Sequence, residues 1–400
     1  MTREFSKERL ERMHAMLAGH VARKVPGLVS LVSRRGEVHV DVIGRSAIDG
    51  PPMQRDTMFR ISSMTKPVIA AAAMILIEEC KLRLDDAVDQ FLPELSGRRV
   101  LKRLDASLEE TVPANRAISV RDLLTFRMGF GQIMAHPDKY PITKAANALH
   151  IGLGPPDPAN IPAPDEWMRR LGTLPLMYQP GERWMYNTSA DLLGVLIARV
   201  SGRSLELFLR ERLFEPLGMK DTSFSVPAAK LDRLATSYWN DPKSGELAVF
   251  DAADGSSAWS KPPAFPSGGG GLCSTIDDFA AFGQMMLDYG KHGRERVLSR
   301  AAVELMTTDH LTPEQKACSA LVPGSFDAVG WGFGMAVVTR RDDVFNVGTF
   351  SWDGGMGTSW AADPRARFTG ILLTQRMWAS PVPPEVCRDF WTSSYAALED

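Results

Sequence analysis

Segments with strand character stand at both ends of this 400-residue chain, and segments with helical periodicity fill its middle. Near the N-terminus, "GLVSLVSRRGEVHVDVIG" reads as two β-rich runs about an Arg-Gly turn, the pattern of a hairpin. From about residue 330, "GWGFGMAVVTR", "DVFNVGTFSW", "GTSWAADP" and "RFTGILLTQ" follow one another across short turns, which predicts an antiparallel meander. The economical solution is a single sheet completed by both termini. The expected class is therefore α+β, with an antiparallel sheet flanked by helices. Residues 1–95 and 241–400 form the sheet domain, and residues 96–240 form an inserted, mainly helical domain.

The helices have their own signals. Leu10, Met13, Leu17 and Val21 recur at helical spacing until Pro26 stops the pattern. The run from Pro67 to Leu82 is apolar nearly all round, which predicts a buried helix. "SVRDLLTFRMGF", "DEWMRRLGTLPL", "SADLLGVLIARVSG" and "SLELFLRERLFEPLG" supply the middle, joined by proline-rich loops such as "GLGPPDPANIPAPDE". A final amphipathic helix is expected around Glu385 to Leu398.

Composition narrows the function. Charged residues make up 24% and the formal net charge is −2, so no basic field for nucleic acid exists. No apolar run is long enough to span a membrane. The charged N-terminus lacks the pattern of a secretory signal, and the expected location is the cytoplasm. Four cysteines are scattered without zinc spacing and are read as free thiols. The seven histidines form no metal motif.

The stretch "FRISSMTKPV" carries the chemistry. Ser63 and Lys66 lie three positions apart at the head of the apolar helix, so hydroxyl and amine share one face. A desolvated lysine loses proton affinity and can activate a hydroxyl. The competing reading makes Ser62 or Ser63 a helix cap and Lys66 a surface-seeking side chain. Pro67 fits the first turn, where N–H groups lack helical partners. Tyr186, just before another helix, is a second candidate. Near a cation its phenol could be held low enough to act as a general base. Otherwise it is a packed loop residue. In "SWDGGMGTSW", the glycines after Trp352 let a ligand approach a strand edge, and an N–H there could join that of Ser63 in an oxyanion hole. The alternative is an ordinary bulge.

Taken together these segments resemble the serine β-lactamase-like and penicillin-binding-protein-like hydrolases. The similarity is greatest to the carboxylesterases related to class C β-lactamases, known as family VIII. It extends over nearly the whole chain and includes "ISVRDLLTFRMGF", "QPGERWMYNTSADLLGVLIARVSG", "LFEPLGMKDTSF" and "SGGGGLCSTIDDFAAFGQMML". The resemblance implies a β-lactamase/transpeptidase-like fold. It implies Ser63 as acylated nucleophile, Lys66 as partner amine and Tyr186 as base, with Ser63 and Gly355 forming the oxyanion hole. Trp352, Gly354, Asn187 and Thr188 fall at its substrate-binding positions.

Two departures matter. Trp352 stands where lactamases carry the lysine of Lys-Thr-Gly, and Thr188 stands where they carry an asparagine. Both point from anionic amides toward neutral esters, and short-chain ones are expected. The implied enzyme needs no metal and no organic cofactor; its partner is a small ester, with neither nucleic acid nor membrane involved. A β-lactamase or D-peptidase, and an acyltransferase to an alcohol, are the rival activities. The 150–166 loop and the 225–265 region, with Trp239 and Trp259, are candidates for the pocket walls. The "SGGGG" run lacks the lysine of a phosphate loop and is expected as a turn near the site.

Overall fold

A computed structural model describes residues 3–21, 24–241, 243–319 and 321–399. The elements that carry the site, in chain order, are α1 (Lys7–Val21), β1 (Gly27–Arg34), β2 (Glu37–Gly44), α2 (Thr65–Glu78) and α3 (Thr188–Ser201). They continue with α4 (Ile276–Leu287), β3 (Val329–Trp331), β4 (Ala336–Val338), β5 (Phe350–Gly354), β6 (Thr358–Asp363), β7 (Phe368–Thr374) and α5 (Glu385–Ala396).

The sheet has seven strands in the order β3-β4-β5-β6-β7-β1-β2, all antiparallel. The N-terminal hairpin thus docks on the last strand of the C-terminal meander, as the two-ended pattern required. Every residue of β1 is buried, because helices cover both faces. Its side chains alternate between two cores. Leu28 and Val32 meet Met13 and Leu17 of α1 and Phe390 and Trp391 of α5. Val29 and Leu31 face the opposite core with Phe279 and Phe282 of α4.

Helix α2 lies within that second core. Twelve of its residues are buried, Lys66 among them. The expected helix limits hold to within a few residues, and Pro67 does sit in the first turn. Neither serine caps it, contrary to one expectation. The residue before α2 is Met64, which makes no side-chain cap, and Ser62–Met64 form a 3₁₀ turn. The Ser63 hydroxyl is thereby left for another partner.

Among the described residues no helix is long and apolar enough to cross a membrane. The four cysteines are free.

Candidate active site

The backbone before α2 is held on two sides. Phe59 and Arg60 pair with Ser274 and Cys273, which brings the glycine run 268–271 alongside. On the other side the end of β5 presses against Ile61. A Cβ on Gly354 would fall 2.2 Å from the Ile61 carbonyl oxygen, so only glycine allows this approach. Gly268 is fixed similarly, since a Cβ there would lie 2.3 Å from the carbonyl of Ala190 in α3. Between these contacts Ser62 adopts φ +44°, a left-handed value that costs a non-glycine residue on the order of 1–3 kcal/mol. The surrounding contacts hold that strain next to Ser63.

Ser63 lines a cavity of about 680 Å³. The Lys66 amine lies 2.9 Å from its hydroxyl and also donates to the Gly269 carbonyl. Lys66 is 1% exposed. Burial pulls its pKa down to about 7, and the nearby Asp191 carboxylate resists the shift. Near neutral pH a large share of Lys66 is therefore the free amine.

Tyr186 completes the cluster. Its ring centre is 4.5 Å from the Lys66 nitrogen, and the nearby Ser63 hydroxyl favours its ionised form. The Trp352 indole N–H donates to the phenol oxygen at 2.9 Å. The structure corrects the sequence-based expectation about acidity. Burial, aided by the carboxyl of Asp353, pushes the phenol above its ordinary value rather than below it. The group that burial makes basic enough and neutral enough is Lys66.

Gly355 follows β5 and lines the cavity with Ser63. Asn187 also lines it, at φ +79°, and its amide donates to the Gly152 carbonyl. Trp352 borders the cavity within an aromatic wall, its ring centre 4.6 Å from that of Trp331 and 5.6 Å from that of Tyr186. Two anticipated binding residues stay outside. Thr188 is buried in the first turn of α3, and Gly354 is buried against Ile61; neither is among the cavity lining.

The walls were only partly foreseen. Pro155, Pro156 and Ile161 of the proline-rich loop do line the cavity. Trp239 and Trp259 do not. Trp259 turns inward to donate to the Gly271 carbonyl, and Trp239 packs edge-on to Phe250. Leu321, Phe326, Met377 and Trp378 take their place. Residues this remote from Ser63 in sequence carry no periodic signal that would assign them.

Asp191 was also missed. It sits in the first turn of α3, where an acid is commonly read as a partner for the helix dipole. Its 5% exposure removes it from that solvent-facing role. The available signal was an acid inside the otherwise apolar run "ADLLGVLIA".

The sequence matches the Beta-lactamase family over residues 11–383. The chain belongs to that family. Within the beta-lactamase family it is similar to Protein Rv1367c of Mycobacterium tuberculosis, 41% identical over 357 residues, which span 87% of this chain and 85% of that protein. Esterase EstB of Burkholderia gladioli is 28% identical over 381 residues, with 88% and 86% covered. Among solved structures, EstCE1, described as a hydrolase with promiscuous acyltransferase activity, superposes with a TM-score of 0.79 at 25% identity, covering 97% of this chain and 99% of that one. The fold is β-lactamase/transpeptidase-like, and the protein is an enzyme of the serine hydrolase type.

Proposed function

We propose that this beta-lactamase family member is a serine carboxylesterase acting on neutral carboxylic esters through an acyl-Ser63 intermediate. The observation that carries the reading is the charge of the cavity. None of the described residues lining it is Lys, Arg or His, while its wall is built from Trp184, Trp331, Trp352, Phe326 and Phe265 among others. A penicillin or peptide carboxylate would lose its hydration there and meet no cation in exchange. A neutral ester loses little.

In the proposed cycle, the free amine of Lys66 takes the proton of Ser63 as its oxygen attacks the ester carbonyl. The N–H groups of Ser63 and Gly355 receive the oxyanion. The Lys66 ammonium formed in this step is held against the Tyr186 ring. Tyr186, protonated at the start, gives its proton to the departing alkoxide and regains one from Lys66. Water then enters and attacks the acyl carbon as it loses a proton to the regenerated amine; the acyl–Ser63 bond breaks, Lys66 returns that proton to the Ser63 oxygen, and the acid leaves.

The expectation of short acyl chains is widened by the size of the cavity. About 680 Å³ falls in the range of sites for drug-sized ligands, more than a butyryl group requires. The cavity also supports a second reading, transfer of the acyl group to an alcohol. EstCE1 is described with both activities, and an apolar alcohol would compete well with water between aromatic walls.

The test is a panel of p-nitrophenyl esters of graded acyl length, with and without added alcohols, followed by product analysis. Hydrolysis abolished by Ser63→Ala, with a fluorophosphonate labelling Ser63 in the unmodified enzyme, supports the esterase reading. Dominant ester exchange at modest alcohol concentration would favour the transferase. Labelling at Ser62 instead would overturn the assignment of the nucleophile.

A further inference from the structure

Lys66 does not stand alone in its pocket. Its amine donates to the carbonyl of Gly269, and the N–H of that same residue donates to Asp191 at 2.9 Å. Ser267 donates its hydroxyl to Asp191 at 2.6 Å. Both donors converge on one carboxyl oxygen, Oδ1. They come from a loop 76 and 78 residues away in sequence. A Cβ added to Gly269 would lie 3.1 Å from both carboxyl oxygens, so the loop is pressed onto the acid.

From this arrangement we infer that Asp191 is a positioning residue for the reaction. Its buried charge, linked to the amine through the Gly269 peptide, sets the pH at which Lys66 becomes a free base. The inference rests on Lys66 being the base proposed above.

The surroundings support it. From the segment before α3, Lys66 faces the phenol of Tyr186, and from α3 it faces Asp191. Asp353 of β5 lies behind the phenol and acts on Tyr186. Asp157 lines the cavity with its carboxylate held by Asn160. The glycine run contributes no ionisable side chain. Asp191 is thus the carboxylate whose charge acts on Lys66 directly. Burial pushes its carboxyl above the usual carboxylate range, and the Ser267 hydroxyl, the Gly269 N–H and the charge of Lys66 oppose that shift and favour the carboxylate. Ionised, it raises the proton affinity that burial takes from Lys66. The amine then titrates closer to neutrality than burial alone would leave it. During turnover, the proton leaving Ser63 forms an ammonium opposite a fixed negative charge, and Asp191 itself exchanges no proton.

Asp191→Asn separates charge from structure. With its carbonyl oxygen in the place of Oδ1, asparagine keeps both hydrogen bonds and loses only the charge. The experiment is the pH profile of kcat/KM for a p-nitrophenyl ester with each enzyme. The unmodified enzyme should show an acid limb near pH 7. In Asp191→Asn that limb should move down by about one pH unit, the lower end of the effect of an adjacent opposite charge. An acid limb that stays in place in the folded variant overturns the inference while leaving Lys66 as the base. Absence of any acid limb in the unmodified enzyme overturns the Lys66 reading itself. If Asp191→Asn fails to fold, Asp191→Glu serves. It retains the charge, so its limb should remain near that of the unmodified enzyme as kcat falls. A limb displaced downward there by a full unit would equally refute a role for the charge.

Discussion

Two buried cations flank Ser63, and they are treated in opposite ways. Arg60, three residues before it, is 3% exposed. Its guanidinium donates to Asp251, to the Ala235 carbonyl at 2.6 Å and to Ser257 at 3.2 Å, and it lies over the Trp259 ring at 5.1 Å. Lys66, three residues after Ser63, is equally buried but meets one hydroxyl, one carbonyl and the face of a phenol, with its carboxylate a peptide away. A guanidinium stays charged and its planar fork suits several acceptors at once. An ammonium with few partners gives up its proton. The first arrangement ties the 251–259 segment to the strand before Ser63. The second holds a base in reserve.

Breaking each cation should therefore break different things. The largest effect is expected from Lys66→Met, which fills the space without an amine. Loss of the general base should lower kcat/KM by up to ~10⁴-fold, read by steady-state kinetics, with folding retained. Arg60→Met should do the reverse. It leaves Asp251 without its cation, held only by the Ser257 hydroxyl and the Ala258 N–H, at a stability cost of about 3–5 kcal/mol, measured by denaturant unfolding. A Lys66→Met enzyme that unfolds, or an Arg60→Met enzyme that keeps its stability, would dissolve the distinction.

How far the contrast was legible from sequence depends on distance along the chain. Ser63 and Lys66 share one helical turn, so their meeting follows from α-helical geometry. The sheet was legible because strand and turn chemistry are local, and because strands at both ends must find a partner. Asp191 was visible as an acid within an apolar run, but its role lay beyond reach. Its role depends on Ser267 and Gly269, brought to it by the pairing of Arg60 with Cys273, and no periodicity encodes that. The acidity of Tyr186 was misjudged for a related reason. Residue type gives a reference acidity, whereas burial decides its displacement, and burial is a tertiary property.

Smaller effects sharpen the comparison. Tyr186→Phe deletes the phenol hydroxyl beside Ser63 and Lys66, and kcat should drop by about 10²-fold, the lower range for a lost proton-transfer group. Near-full kcat would show that Lys66 works alone. Trp352→Phe removes the N–H donated to Tyr186 while keeping an apolar wall. The loss of one hydrogen bond, about 0.5–1.5 kcal/mol, should appear as a reduction of roughly 2- to 12-fold in kcat/KM.

A further signal is in stability against pH. Lys66 has a folded-state pKa of about 7 against an ordinary 10.5. Between those values the unfolded chain binds the extra proton, so this residue's contribution to stability rises with pH. The stability advantage of Lys66→Met over the unmodified enzyme should accordingly shrink from pH 7 toward pH 10, and a constant difference would mean that the amine stays charged in the fold.

The central claim is that this cavity accepts neutral esters and turns away anionic amides. The direct measurement is kcat/KM for p-nitrophenyl butyrate beside benzylpenicillin on the unmodified enzyme. A cation at position 352 would give a carboxylate about 1.5–3 kcal/mol, roughly 10- to 150-fold in binding, and Trp352 withholds it. The account predicts the ester ahead by at least that order. Equal or higher efficiency on the penicillin would contradict it.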